Sequence, residues 1–343
     1  PWNPPIMTTS LLSATLLLCA VATPAAALTP DDSGVWHEDF DEAVAVAKEQ
    51  DKDLFVDFTG SDWCSWCIKL HDEVFQYDTF LDAAQEDFVL VALDFPRSEE
   101  VKATVPNPER NDELQEKYGI QGFPTCLLMT SDGVVYARMG YQPDGPEKYI
   151  ADMRENRTTG KALLAELAEL ESDFAAATDK IPVVSRAIAM LAEMDSESPG
   201  ISIVSDMASK ALTLDPENRA GLKLAAMKSL LGAGQADEDI ENAARNMDAF
   251  NEQGLLELVV EAQFGKVRSD ETAKAAIAEI EGLLELGTFH EADKVKRMAA
   301  MAAMWCEGPL EDHDHAVQLA RQAKAIEAEV DEGMEKMLDE ILG

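Results

Sequence analysis

An α/β domain followed by an all-α domain of packed antiparallel helices is the architecture this sequence predicts, on three observations. From Trp36 to about Arg154 helical and strand patterns alternate, whereas beyond Asn156 β-branched residues thin out and Ala, Leu, Met, Glu and Lys take over. The 343 residues also exceed what one hydrophobic core usually fills. In the first half, Phe40, Ala43, Val44 and Ala47 recur at helical spacing behind Asp39, a good capping residue. Residues 54–58 are a short apolar run of strand length, 64–77 read as a helix, 88–95 as a strand, and 109–118 as a helix stopped by Gly119. Strands at 125–130 and 134–139, joined through Asp132-Gly133, form a hairpin, and a helix over 143–154 closes the region. In the second half, breaks at Ser198-Pro199-Gly200, Asp215-Pro216, Gly232 to Gly234, Gly254 and Gly308-Pro309 cut the chain into helix-length segments.

The formal net charge of −38, from 66 acidic and 28 basic residues, repels polyanions, so nucleic acid is excluded as a partner. The acidic excess runs through both halves, as in a solvated surface rather than a binding tail. Residues 1–27 carry no charged side chain, and an apolar run over 11–21 precedes "ATPAAA", whose small residues suit cleavage near Ala27. This reads as a signal peptide, with residues 1–6 before Met7 as translated upstream sequence. It predicts an exported protein, periplasmic or extracellular, with no membrane segment after cleavage. The domain expectation is therefore 28–155 and 156–343 for the mature chain.

Export permits disulfides. Beyond residue 27 lie Cys64, Cys67, Cys126 and Cys306, too few for a disulfide framework in a chain this long. Cys64 and Cys67 stand at the predicted start of a helix, after the loop "TGSDW". Backbone N–H groups and the helix dipole favour a thiolate there, and Cys67, on the same face, lies within reach to close and reopen a disulfide. Spacing alone leaves three readings open: an exchanging dithiol, half of a tetrahedral metal site, or a structural staple.

Residues 36–154, with "DFTGSDWCSWC" and the later "GFPT", resemble the secreted thioredoxin-like family. The resemblance implies a thioredoxin-like domain with a central mixed sheet flanked by helices and a redox-active Cys64–Cys67 disulfide. In it Cys64 is the exposed nucleophile, Cys67 the buried resolving cysteine, Asp57 a buried acid handling the proton of Cys67, and Pro124 a residue preceded by a cis peptide bond. Trp63 flanks the nucleophile, and Trp66, Phe123 and Thr125 border the substrate. The implied activity is thiol–disulfide exchange on protein disulfides, supplied with electrons by an upstream thiol donor and needing no cofactor. Ser65-Trp66 stands where reductive thioredoxins carry Gly-Pro, and the predicted strand 88–95 has no lysine to partner Asp57. Asp57 and Asp62 are negative charges near the nucleophile, which lean the couple toward a reductase or isomerase.

The competing readings are concrete. A Cys64/Cys67/His71 site could bind a metal, but no second Cys-x-x-Cys exists to complete it, and the expectation is no metal. His313 and His315 in "EDHDH" read as a solvated helix start, and Cys126 and Cys306 as small buried hydrophobes. Residues 208–234 resemble the junction between two tetratricopeptide units, with no clean copy 34 residues away, so a helical repeat and an irregular bundle both stand. The helical half could recruit a protein partner, in the extreme as a scaffold whose thioredoxin-like domain is accessory or vestigial.

Overall fold

The computed structural model describes residues 35–343. The expected signal peptide lies outside these residues, as do positions 28–34 of the first expected domain. The described chain forms two compact units that divide between Arg154 and Glu155.

The first unit is a five-stranded mixed sheet with helices on both faces. Its elements are β1 (Trp36–His37), α1 (Phe40–Gln50), β2 (Asp53–Thr59), α2 (Ser65–Leu70), α3 (Asp78–Asp87), β3 (Phe88–Asp94), α4 (Glu99–Lys102), α5 (Pro108–Lys117), β4 (Thr125–Met129) and β5 (Val135–Met139). The first part of α6 (Gly145–Ala176) completes it. Strands run in the order β1-β3-β2-β4-β5. The β1–β3 and β2–β3 pairs are parallel, and β2–β4 and β4–β5 are antiparallel. Asp39 caps α1 as expected, its carboxylate accepting the Glu42 N–H at 3.0 Å.

Strand alternation divides the side chains of β2 between two cores. Leu54, Val56 and Phe58 join Val89, Val91, Leu93, Leu127 and Met129 against Phe40, Ala43 and Ala47 of α1 and Leu114 of α5. Phe55, one residue out of step, meets Phe75, Phe80, Phe88 and Tyr149 edge-on across the opposite face. Asp57 shares that second face, which makes its carboxylate a buried acid inside an aromatic layer. Burying each large apolar side chain contributes roughly 1.5–3 kcal/mol, so packing is the main force that holds both faces.

Several elements differ from expectation. The helix predicted over 64–77 stays α-helical only to Leu70 and widens into a π-helical turn over His71–Phe75, bringing Val74 and Phe75 into the core. Helices α3 and α4 and the two-residue β1 are unforeseen; α3 is short and acidic, yet Phe80, Leu81 and Ala84 bury one side of it. The closing helix does not stop at Arg154 but continues to Ala176. Asn156, Thr158, Thr159 and Gly160 read as a break by propensity, which packing overrides where Leu167 and Leu170 enter a core.

The second unit, from Glu155, is helical among its described residues: the remainder of α6, then α7 (Ile181–Ala192), α8 (Ile201–Ser209), α9 (Ala211–Leu214), α10 (Leu222–Gly232), α11 (Glu238–Met247), α12 (Leu255–Gly265), α13 (Asp270–Leu286), α14 (Ala292–Glu307), α15 (His313–Ala325) and α16 (Glu332–Leu342). One core gathers Leu191, Met207, Met227, Leu230 and Val259; a second gathers Val260, Ile277, Ile280, Met298, Leu319 and Leu338. Buried alanines 299, 300, 302, 303, 316, 320 and 323 pack α14 and α15 closely together. Among the described residues no helix is long and apolar enough to cross a membrane.

One loop recurs in this unit. Asp215 takes the N–H groups of Arg219, Ala220 and Leu222 onto its carboxylate, while Asn218 takes that of Leu224. In the stretch 33 residues further on, Asp248 accepts from Gln253 and Leu255, and Asn251 from Leu256. Asn218 and Asn251 both sit at positive φ, as do Gly221 and Gly254, which begin α10 and α12.

Candidate active site

Cys64 is the N-cap of α2: the loop from β2 delivers it in extended conformation, and its sulfur accepts the Cys67 N–H at 3.2 Å. Cys64 and Cys67 are joined as a disulfide with Cα atoms 5.2 Å apart. The pair is more enclosed than expected of an exposed nucleophile. Cys64 is 5% and Cys67 3% accessible, because the Cys64 sulfur turns in over the first helical turn.

The loop between β2 and α2 is clamped to the segment after β3. The Ser61 N–H and hydroxyl both donate to the Asp94 carboxylate, at 2.9 and 2.6 Å. Asp62 accepts from the N–H groups of Arg97 and Ser98, and the Trp63 indole N–H donates to the Phe95 carbonyl at 2.8 Å. The Arg97 guanidinium lies 3.8 Å from the Trp63 ring centroid, on an indole that meets Phe123 edge-on at 5.6 Å. Gly60 is required here: a Cβ at that position would come within 2.6 Å of the Trp63 ring.

Asp62 therefore has a different task from the one its position in "SDWC" suggests. Slight burial raises its carboxyl, but the N–H groups of Arg97 and Ser98 outweigh this and hold it below the ordinary carboxylate range. Its charge is committed to those two amides.

On the far side, Trp66 remains 53% exposed and leans on Tyr141, ring centroids 5.0 Å apart. The Lys69 ammonium lies near both rings, and the Tyr141 hydroxyl donates to Glu73 at 2.6 Å. The Phe123–Pro124 peptide bond is cis. Thr125 opens β4 with its hydroxyl on the Gly122 carbonyl, opposite Phe58 in the sheet register.

Beneath the loop, Asp57 lies opposite Cys126 on the neighbouring strand, and the Cys126 thiol donates to Asp57 Oδ1 at 3.4 Å. Burial pushes the Asp57 carboxyl up to about 7; the Cys126 hydrogen bond pulls against this and the charge of Asp94 adds to it. Burial also raises Asp94, against the hydrogen bonds from Ser61. Cys126 is thus more than the small hydrophobe its apolar run suggests. It is the hydrogen-bond partner of the buried acid, from β4 rather than from the strand 88–95 that lacks a lysine, a role only the register of β2 and β4 reveals.

The metal alternatives find no converging ligands. Among the described residues no three His, Cys, Asp or Glu side chains are placed to hold an ion. The His71 Nδ1 faces Asp72 at 3.6 Å, and His313 and His315 contact separate partners, Glu307 and Glu281. Cys306 is buried in the second core of the helical unit.

Comparison with known proteins bears on this arrangement. Residues 40–154 match the thioredoxin-like domain family. The chain is 35% identical over 119 residues to the disulfide bond reductase DsbH of Chlamydia pneumoniae, an alignment covering 34% of this chain and 69% of that protein. It is 32% identical over 135 residues to the thioredoxin-related protein DsbJ of the same organism, covering 38% of this chain and 37% of that one. Among solved structures, a DsbH oxidoreductase aligns at 31% identity over 38% of this chain and 91% of its own, with a TM-score of 0.31.

Proposed function

This chain belongs to the thioredoxin-like family, and from that premise we propose that it is an extracytoplasmic thiol–disulfide oxidoreductase, working as a reductase or isomerase on protein disulfides. The observation that carries the reading is the Cys64–Cys67 bond at the start of α2. Cys64 is the nucleophile, favoured as a thiolate by the Cys67 N–H that already points at its sulfur. Cys67 resolves the mixed disulfide, and Asp57 is the base that takes its proton. A staple is the weaker reading, since so short a loop gains little from closure.

Trp63 and Phe123, in edge-on contact, and the exposed Trp66 are the aromatic side chains available to border a substrate, and Pro124 and Thr125 open the strand along which an extended one would lie. The apolar, charge-free segment 1–27 and a disulfide that an oxidising environment sustains support the extracytoplasmic reading. An upstream thiol donor must return the pair to the dithiol. The helical unit serves as a tetratricopeptide-like partner-binding array; the loop shared by Asp215–Leu222 and Asp248–Leu255 supports that reading, and Phe250, 70% exposed on the second copy, offers an apolar contact.

The direction rests on charge. Asp57 on β2 and Asp94 at the end of β3, where the loop to Cys64 is anchored through Ser61, set two carboxylates against the stabilisation that the Cys67 N–H gives the Cys64 thiolate, and so against the reduced form. A reduction potential on the order of −200 to −270 mV is expected from equilibration with glutathione or thioredoxin buffers. A value near about −120 mV, typical of strong periplasmic oxidants, would overturn the reductase or isomerase assignment.

A further inference from the structure

The aromatic face of the sheet contains a polar chain that packing does not require. Cys126 stands directly opposite Asp57 across the antiparallel β2–β4 pair, so both side chains project to the same face. Its sulfur is fully buried and donates to Asp57 Oδ1 at 3.4 Å. The hydroxyl of Tyr149 from α6 is buried close to that sulfur and has no hydrogen-bond partner among the described residues. Leu127 and Met129, the neighbours of Cys126 on alternate positions, enter the opposite core. A valine at 126 would fill the space equally well; what the cysteine adds is a donor to the acid.

We propose that Cys126 is a positioning residue for Asp57: its thiol stabilises the carboxylate and so sets the pH above which Asp57 takes the proton of the resolving cysteine. The proposal rests on the oxidoreductase reading given above. In the step concerned, the Cys67 thiol passes its proton to Asp57, and the Cys67 sulfur attacks Cys64 in the mixed disulfide. The Cys64–Cys67 bond forms, the bond from Cys64 to the substrate sulfur breaks, and the substrate leaves as a thiolate that solvent protonates. The enzyme dithiol is oxidised and the substrate disulfide reduced, with no other reactant.

The groups around Asp57 come from every element that packs on it. Asp94 on β3 adds negative charge, Cys126 on β4 donates, the Tyr149 hydroxyl on α6 lies close by with Asp152 beyond it, and the Cys64–Cys67 pair is uncharged while oxidised. Burial and the Asp57 charge keep Cys126 itself a thiol, so it serves as a fixed donor and not as a competing base.

The test uses the full chain. The Asp57 carboxyl is titrated by carbon-13 NMR in the oxidised protein, and the pH profile of insulin-disulfide reduction is recorded alongside. C126A and C126V, which remove the donor, are expected to raise the Asp57 midpoint by about half to one pH unit and to move the acid limb of the activity profile upward equally. C126S, which keeps a donor, is expected to restore most of both. An unmoved Asp57 midpoint in C126A and C126V, an equal shift in C126S, or a moved midpoint with an unmoved activity limb would each overturn the proposal. An inactive wild type would sink the oxidoreductase reading instead, and the NMR titration, which needs no turnover, would still accept or reject the contact.

Discussion

C64S is expected to lose insulin-disulfide reduction by about three orders of magnitude or more, while remaining folded. The first half of the statement is chemical. Exchange requires a sulfur anion that can attack a disulfide and later leave, and a serine hydroxyl does neither at neutral pH. The second half is structural. Cys64 is the N-cap of α2, accepting the Cys67 N–H, and serine is among the best residues for that position. Losing the Cys64–Cys67 bond should remove at most about 2 kcal/mol, because the loop it closes is so short. Circular dichroism and urea unfolding check the fold, and insulin turbidity checks the chemistry. Reduction by C64S at the wild-type rate would refute the assignment of the nucleophile.

D57N is expected to make the protein more stable at alkaline pH and slower as a reductase. The sign follows from linkage. Burial raises the Asp57 carboxyl from 3.8 to about 7, so between those values the folded state binds a proton that the unfolded state has released. Stability contributed by this group is present in full below 3.8 and is lost as pH rises toward 7. At about 1.4 kcal/mol per unit, the full loss is on the order of 4 kcal/mol by pH 8. Asparagine keeps the shape and an acceptor for Cys126 but carries no charge to bury, so D57N should escape the loss. Urea unfolding at pH 5 and pH 8 is the measurement. A D57N advantage that grows between the two is predicted; one that stays constant or shrinks would contradict the buried acid.

How much of this was legible depends on how far apart the partners lie. The run 54–58, the Asp39 cap, the Asp132-Gly133 hairpin and the Cys64 helix start are local patterns, and the structure places each where the sequence predicts it. Cys126 is different. Its identity reads as a small hydrophobe, and only pairing with a strand 69 positions earlier turns it into the partner of Asp57. Asp62 misleads for the opposite reason: it is adjacent to the dithiol in sequence, yet its carboxylate is spent on amides 35 and 36 residues away. The continuation of α6 past Arg154 was hidden by a polar, glycine-containing stretch of poor helix propensity that tertiary contacts hold helical. The loop shared by Asp215 and Asp248 is faint in the sequence because its period is 33 and only Asp, Asn, Gly and Leu recur at matching positions.

The central claim is that Cys64 attacks a protein disulfide and Cys67 resolves the product. It is tested most directly by incubating reduced C67S with cell-envelope extract and analysing captured species by mass spectrometry without reductant. The account predicts partners linked to C67S through Cys64 and released by dithiothreitol, and no such adducts on C64S. Adducts forming equally on C64S through Cys67, or on neither variant, would contradict it.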